Sequence, residues 1–163
     1  LFELHPTDSK ALAAHVAQLD AGRQVQLQRA DGFESLKALL PPKERRGLVL
    51  IDPPFEERDD FEKLAQALGD ARRRFETGIM ILWHPIKERA TVEAFRRAAD
   101  AVGFEKTLPA ELLIRAPTDD TRFNGCGLYI VNPPWTLKAA LEKLGPLLAE
   151  RLAQGPGAGF VLA

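Results

Sequence analysis

The sequence predicts an α/β domain, and two observations carry that prediction. Short runs of β-forming residues alternate with segments of helical period, and two of the runs, 47–51 and 79–83, are apolar or nearly so throughout. Uninterrupted apolar runs suit parallel strands covered on both faces, so Gly47 to Ile51 reads as a central strand.

The elements follow in order. Leu1-Phe2-Glu3-Leu4 has the character of a strand already in progress, and the chain opens without Met, so a segment upstream is expected to be missing. Thr7-Asp8-Ser9 is a cluster of cap residues ahead of a helix that places Leu12, Val16 and Leu19 on one face and closes at Gly22. A strand is expected from Val25 to Arg29, then an Asp31-Gly32 turn and a short helix lined by Phe33, Leu36, Leu39 and Leu40, stopped by Pro41-Pro42. After the 47–51 strand, helical period returns with Phe61, Leu64, Ala65, Leu68, Ala71 and Phe75. The strand Ile79 to Trp83 is expected to end at His84-Pro85, and the next helix carries Val92, Phe95, Ala99 and Val102.

Lys106 to Arg115 and Gly127 to Val131 read as two strands joined by the polar loop 116–124. The loop is too short for a crossover helix, so the pair should be an antiparallel hairpin at a sheet edge. A last helix is expected from about Thr136 to Leu152, kinked at Gly145-Pro146, and the apolar tail Phe160 to Leu162 can add to an edge. Without an internal repeat or linker, residues 1–163 read as one domain.

Composition bounds the function. With 163 residues and 45% hydrophobic content the chain can bury a core, and it contains no uncharged apolar run of about 18 residues that would span a membrane. The opening lacks the layout of a secretion signal, so a cytoplasmic location is expected. A single Cys cannot form an internal disulfide, and Cys126 with His5, His15 and His84 offers no metal-ligand spacing, so no metal is expected. Lys and Arg total 22 against 23 Asp and Glu, which excludes nucleic-acid binding by bulk charge and requires a local site instead.

In an open parallel sheet the ligand crevice lies outside the carboxyl ends of the strands. Glu3, Asp31 and Asp52 fall at three successive ends, where carboxylates can accept hydrogen bonds from a ribose or an adenine amino group. Taken singly, each also suits a loop or a helix cap. Asp52-Pro53-Pro54-Phe55 is the most informative stretch. Two prolines fix the backbone and leave carbonyls free to accept, so the Asp52 carboxylate and the Pro53 carbonyl can take the two hydrogens of an exocyclic amino group. That arrangement draws the nitrogen lone pair toward an electrophilic methyl while Phe55 stacks on the base.

The tetrapeptide resembles the Asp-Pro-Pro-aromatic motif of amino-group methyltransferases that use S-adenosylmethionine. Glu3-Leu4-His5-Pro6, Ala30-Asp31-Gly32-Phe33, Arg45-Arg46-Gly47 through Phe55, Phe75-Glu76-Thr77-Gly78 and Asn132-Pro133-Pro134-Trp135 extend the resemblance over essentially the whole chain. Together they resemble the bacterial 23S ribosomal RNA adenine-N6 methyltransferases of the large subunit, earlier described as proteins involved in catabolism of external DNA. The resemblance implies a Rossmann-like S-adenosylmethionine-dependent sheet with a terminal antiparallel hairpin. It also implies methylation of an adenine N6 in protein-free 23S ribosomal RNA by a monomer. Asp52 would engage the target amino group, and Glu3, Asp31, Gly32 and Asp52 would contact the cofactor, with Pro53, Pro54 and Phe55 on the substrate.

Two departures stand out. Phe55 replaces the usual Tyr, keeping the stacking face and losing a hydroxyl. The family's glycine-rich cofactor loop and inserted helical subdomain have no counterpart, so residues 1–163 read as the C-terminal portion of a single methyltransferase domain. Alternatives keep the site and change the polymer to DNA, or make the chain a non-catalytic nucleic-acid or cofactor-binding fragment.

Asn132-Pro133-Pro134-Trp135 repeats the motif's form but follows a hairpin strand, so a strand stop with Trp135 packed on the last helix is expected. The basic clusters 43–46, 72–74 and 96–97 read as solvated faces. Arg122-Phe123-Asn124 joins a cation to an aromatic in the hairpin loop and is a better RNA contact. His84 and Cys126 read as packed residues.

Overall fold

The computed structural model describes residues 1–57 and 59–163, which form two compact units, 1–40 and 41–163.

In the first unit, helix α1 spans Pro6–Gln18, a 3-10 turn spans Gly22–Gln24 and helix α2 spans Gly32–Leu39. Helix α1 starts earlier than Thr7-Asp8-Ser9 suggests. Pro6 takes the first helical position, where its missing N–H costs nothing, and the three cap-type residues lie inside. Leu19 falls beyond the helix and is exposed. No strand forms at 25–29. A single parallel bridge joins Phe2 to Gln28, with Glu3 N donating to Gln28 O and Gln28 N to Leu1 O. Helix α2 begins at a formed cap: Asp31 Oδ1 accepts from Phe33 N at 2.8 Å and Glu34 N at 3.3 Å.

The second unit is a five-stranded mixed sheet with three helices. Strands β1 (Leu48–Ile51), β2 (Ile79–Ile86), β3 (Thr107–Leu113), β4 (Gly125–Val131) and β5 (Gly159–Leu162) are ordered β1-β2-β4-β3-β5. Only β1 and β2 are parallel, and the remaining neighbours are antiparallel. The expected hairpin is therefore present, but β4 lies inside the sheet and β5 covers the outer side of β3. The apolar run 47–51 likewise departs from the central placement it predicts. Strand β1 is an edge, and Leu48 and Leu50 are exposed.

The side chains of paired strands alternate between faces. His84, Leu82 and Tyr129 share one face, against which α4 (Arg89–Ala101) sets Phe95, 5.3 Å from the His84 ring and 6.1 Å from Tyr129. Helix α3 (Asp60–Phe75) turns Leu64, Ala67, Leu68, Ala71 and Phe75 inward at helical spacing and buries them. Helix α5 (Leu137–Leu152) serves the other face. Its Gly145 lies so close to Phe160 of β5 that an added Cβ would come within 2.0 Å of the ring, which explains the glycine before Pro146. Strand β2 continues through Pro85 to Ile86. Beyond Leu82 it has no partner on the β1 side, so the missing Pro85 N–H is tolerated there.

No described helix is long and apolar enough to cross a membrane.

Candidate active site

The register fixes one end of the sheet. Ile51 pairs with Leu82, Ile86 with Gly125, and Gly125 with Leu113, so β1 and β2 both run toward the end where the 114–124 loop joins β3 to β4; β2 reaches it, and β1 stops earlier, level with Leu82. Asp52-Pro53-Pro54-Phe55 leaves at that end. The Asp52 side chain makes no hydrogen bond among the described residues, and partial burial pushes its carboxyl above its ordinary value. Pro53 is buried and Pro54 exposed.

Phe55 adopts φ 54°, a left-handed conformation that disfavours a bulky side chain and costs on the order of 1–3 kcal/mol. Packing holds it there. Its ring lies 4.9 Å from Phe61 of α3 and 5.8 Å from Trp83 of β2. Just after the turn, buried Asp60 accepts from Glu57 N at 3.1 Å and steadies the loop.

Sequence reasoning missed Trp83 and Phe61. The signal available was alternation along β2, which sends Trp83 to the face opposite His84 beside the point where β1 stops. Burial opposes deprotonation of the Cys126 thiol. His84 is a packed residue: it is buried between Phe61 and Phe95, and desolvation lowers its pKa. Cys126 is half-buried, in line with a packing role.

Glu3, Asp31 and Gly32 belong to the first unit. The Phe2–Gln28 bridge brings the two segments side by side, with an ideal Gly32 Cβ 3.7 Å from Phe2 Cβ. Glu3 Oε1 accepts from His5 N at 2.7 Å, and both cap bonds of Asp31 fall on Oδ1. Each carboxylate thus has a local structural role and a second oxygen outside it. At Gly32 the 3.7 Å contact is ordinary, so packing within the unit does not demand a glycine.

The second Pro-Pro tetrapeptide sits at the opposite end of the sheet, since Val131 pairs with Met80 near the start of β2. Asn132, at φ 50°, donates from Nδ2 to Glu76 O and Gly78 O, both at 2.8 Å. Its role is structural, as expected. The expected packing of Trp135 is not found: the residue is 93% exposed, and the stop is tied by Asn132 instead. Among the described residues no group of three or more His, Cys, Asp or Glu is placed to hold a metal ion.

Comparison with known proteins adds the family. A protein 36% identical over 162 residues is the "Ribosomal RNA large subunit methyltransferase J" of Haemophilus influenzae, and the match covers 99% of this chain and 57% of that protein. The protein of the same name from Escherichia coli K12 is 35% identical over 152 residues, 93% of this chain and 53% of its own length. The crystal structure of protein LPL1258 from Legionella pneumophila superposes with a TM-score of 0.86 at 31% identity, over 100% of this chain and 59% of that one. The chain thus spans a little over half the length of the relatives it matches. A family profile described as "Ribosomal RNA large subunit methyltransferase D, RlmJ" matches residues 1–161, and the chain belongs to that family.

Proposed function

We propose that residues 1–163 are the C-terminal portion of a single Rossmann-like methyltransferase domain that methylates the N6 amino group of an adenine in 23S ribosomal RNA. The observation that carries this reading is the pairing, at the exit of β1, of an uncommitted Asp52 carboxylate with a Phe55 ring held against its backbone preference. Family membership supports a large-subunit ribosomal RNA as the polymer.

The chemistry follows from these groups. An exocyclic amino group donates its two hydrogens to Asp52 and to the Pro53 carbonyl, whose positions two successive prolines restrict. Accepting both hydrogens raises electron density on the nitrogen, and the Phe55 face holds the base flat. An ionised Asp52 can also take the amino proton as the nitrogen becomes alkylated. S-adenosylmethionine supplies an electrophilic methyl group when bound. The donor set fits such a nucleoside: Asp31 Oδ2 and the second oxygen of Glu3 lie outside the local hydrogen bonds and can accept from hydroxyl or amino groups, with Gly32 beside them.

The test is transfer of labelled methyl from S-adenosylmethionine to protein-free ribosomal RNA and to DNA, by this chain and its Asp52→Ala variant. Transfer to RNA that disappears in the variant is expected. Equal turnover by the variant overturns the role of Asp52, and preference for DNA overturns the substrate. Cofactor binding without transfer to either polymer would make the chain a binding fragment.

A further inference from the structure

The hairpin loop at the Asp52 end of the sheet forms one wall of an open groove of about 480 Å³, lined by Ile114, Arg115, Arg122, Phe123, Leu152 and Gln154. We infer that this groove holds a nucleotide of the RNA strand next to the target adenine, its phosphate on the two arginines and its base on Phe123.

Three features support that occupant. The first is composition: a guanidinium pair beside an aromatic ring 43% exposed is the combination that grips single-stranded nucleic acid, by charge along the backbone and by stacking on the bases. The volume suits a small-molecule-sized guest.

The second is rigidity. Asn124, next to Phe123, is fully buried and donates from Nδ2 to Asp119 O at 2.9 Å and Lys87 O at 3.3 Å. Its main chain is fixed as well, with Asn124 N donating to Ile86 O and Ile114 N to Asn124 O. The segment after α5 completes the groove, since Gln154 N donates to Ile114 O and Ala116 N to Pro156 O. An exposed aromatic on a pinned loop loses little freedom on binding.

The third is an unmet donor. Arg115 donates from Nη2 to Gln154 Oε1, yet its Nε is buried with no hydrogen-bond partner among the described residues. The nearby Asp119 carboxylate, which would oppose an anion, is turned into its own loop by Thr121 N at 3.0 Å and Thr121 Oγ1 at 2.6 Å.

The groove shares its end of the sheet with Asp52, so a strand presenting a base to Phe55 can run toward Arg122. The inference rests on the substrate being RNA. It differs from the active-site reading in concerning affinity and not turnover.

The test is fluorescence anisotropy of a labelled single-stranded RNA of about 12 nucleotides, within the range of site sizes such grooves cover. Phe123→Ala should weaken binding about tenfold, the effect of losing one stacked base. Arg122→Gln should weaken it several-fold and lower the slope of log affinity against log salt by about 0.7, the value for one single-strand phosphate. Arg74→Gln, a charge control in the last turn of α3, should bind as the parent does.

Parent-like binding by both variants overturns the groove, as does equal weakening by Arg74→Gln or a parent chain that does not bind RNA. Asp52→Ala separates the two readings. If it binds RNA normally and transfers no methyl, the active-site reading stands whatever the groove variants do. If it keeps full turnover while Phe123→Ala loses affinity, the groove stands and the role of Asp52 falls.

Discussion

Phe55 and Trp83 meet with ring centroids 5.8 Å apart because β1 stops at Ile51 while β2 runs on to Ile86. The turn after Asp52 fills the side of β2 left open, and Phe61 closes on the same ring from α3 at 4.9 Å. The motif's aromatic is thus held by two neighbours from different elements.

If Phe55 acts by stacking, the lack of a hydroxyl on its ring is of little consequence. Phe55→Tyr should keep kcat/KM for RNA within about twofold, whereas Phe55→Ala should lower it by about tenfold or more, the effect of one lost stacked base. Steady-state kinetics with RNA as the varied substrate checks this, and an alanine variant as active as the parent would remove Phe55 from the site.

Asn132 offers a contrast at the far end of the sheet. Asn132→Ala loses two hydrogen bonds and puts a less tolerant residue at φ 50°, so stability should fall by about 1–3 kcal/mol. Asn132→Gly should fall less, because it relieves the backbone. Denaturant unfolding measures both, and methyl transfer per folded molecule should be unaltered.

Gly127 exists to admit His84. A Cβ there would come within 2.3 Å of the His84 ring, which Phe61 and Phe95 flank. Gly127→Ala should therefore cost about 1–3 kcal/mol by overpacking. A thermal melt should show Tm lower by about 3–10 °C.

Acid should weaken the second unit through the same histidine. Burial holds the His84 pKa below its ordinary value, so as pH falls through about 6.5 the unfolded chain takes a proton that the folded chain refuses. The contribution is intact above that pH and declines below it, toward the folded-state value. Unfolding free energies of the parent and of His84→Gln between about pH 5 and 7.5 should show a steeper acid loss in the parent.

The sequence made some of this visible and hid the rest for physical reasons. Helices α3 and α4 were legible because Leu64, Leu68, Ala71 and Phe75, and Val92, Phe95 and Ala99, repeat at the spacing of a buried face. The hairpin was legible from loop length. The edge position of β1 was not, because an apolar run reports which neighbours a strand suits and not which it has: Leu48 and Leu50 are exposed here. The 25–29 strand failed for a related reason, since β propensity without a ladder leaves one bridge at Phe2 and Gln28. At the site, the Pro-Pro turn announced Asp52, but its neighbours Trp83 and Phe61 come from separate elements and emerge only when the chain folds.

The placement of the two tryptophans also gives the protein a built-in optical probe. Trp135 is 93% exposed and far from the reaction end, so its emission should be that of an indole in water and insensitive to substrate. Replacing it with Phe leaves a single tryptophan, Trp83, beside the Phe55 ring. Its wavelength and quenching then read out the environment of the motif directly, with no label and no turnover.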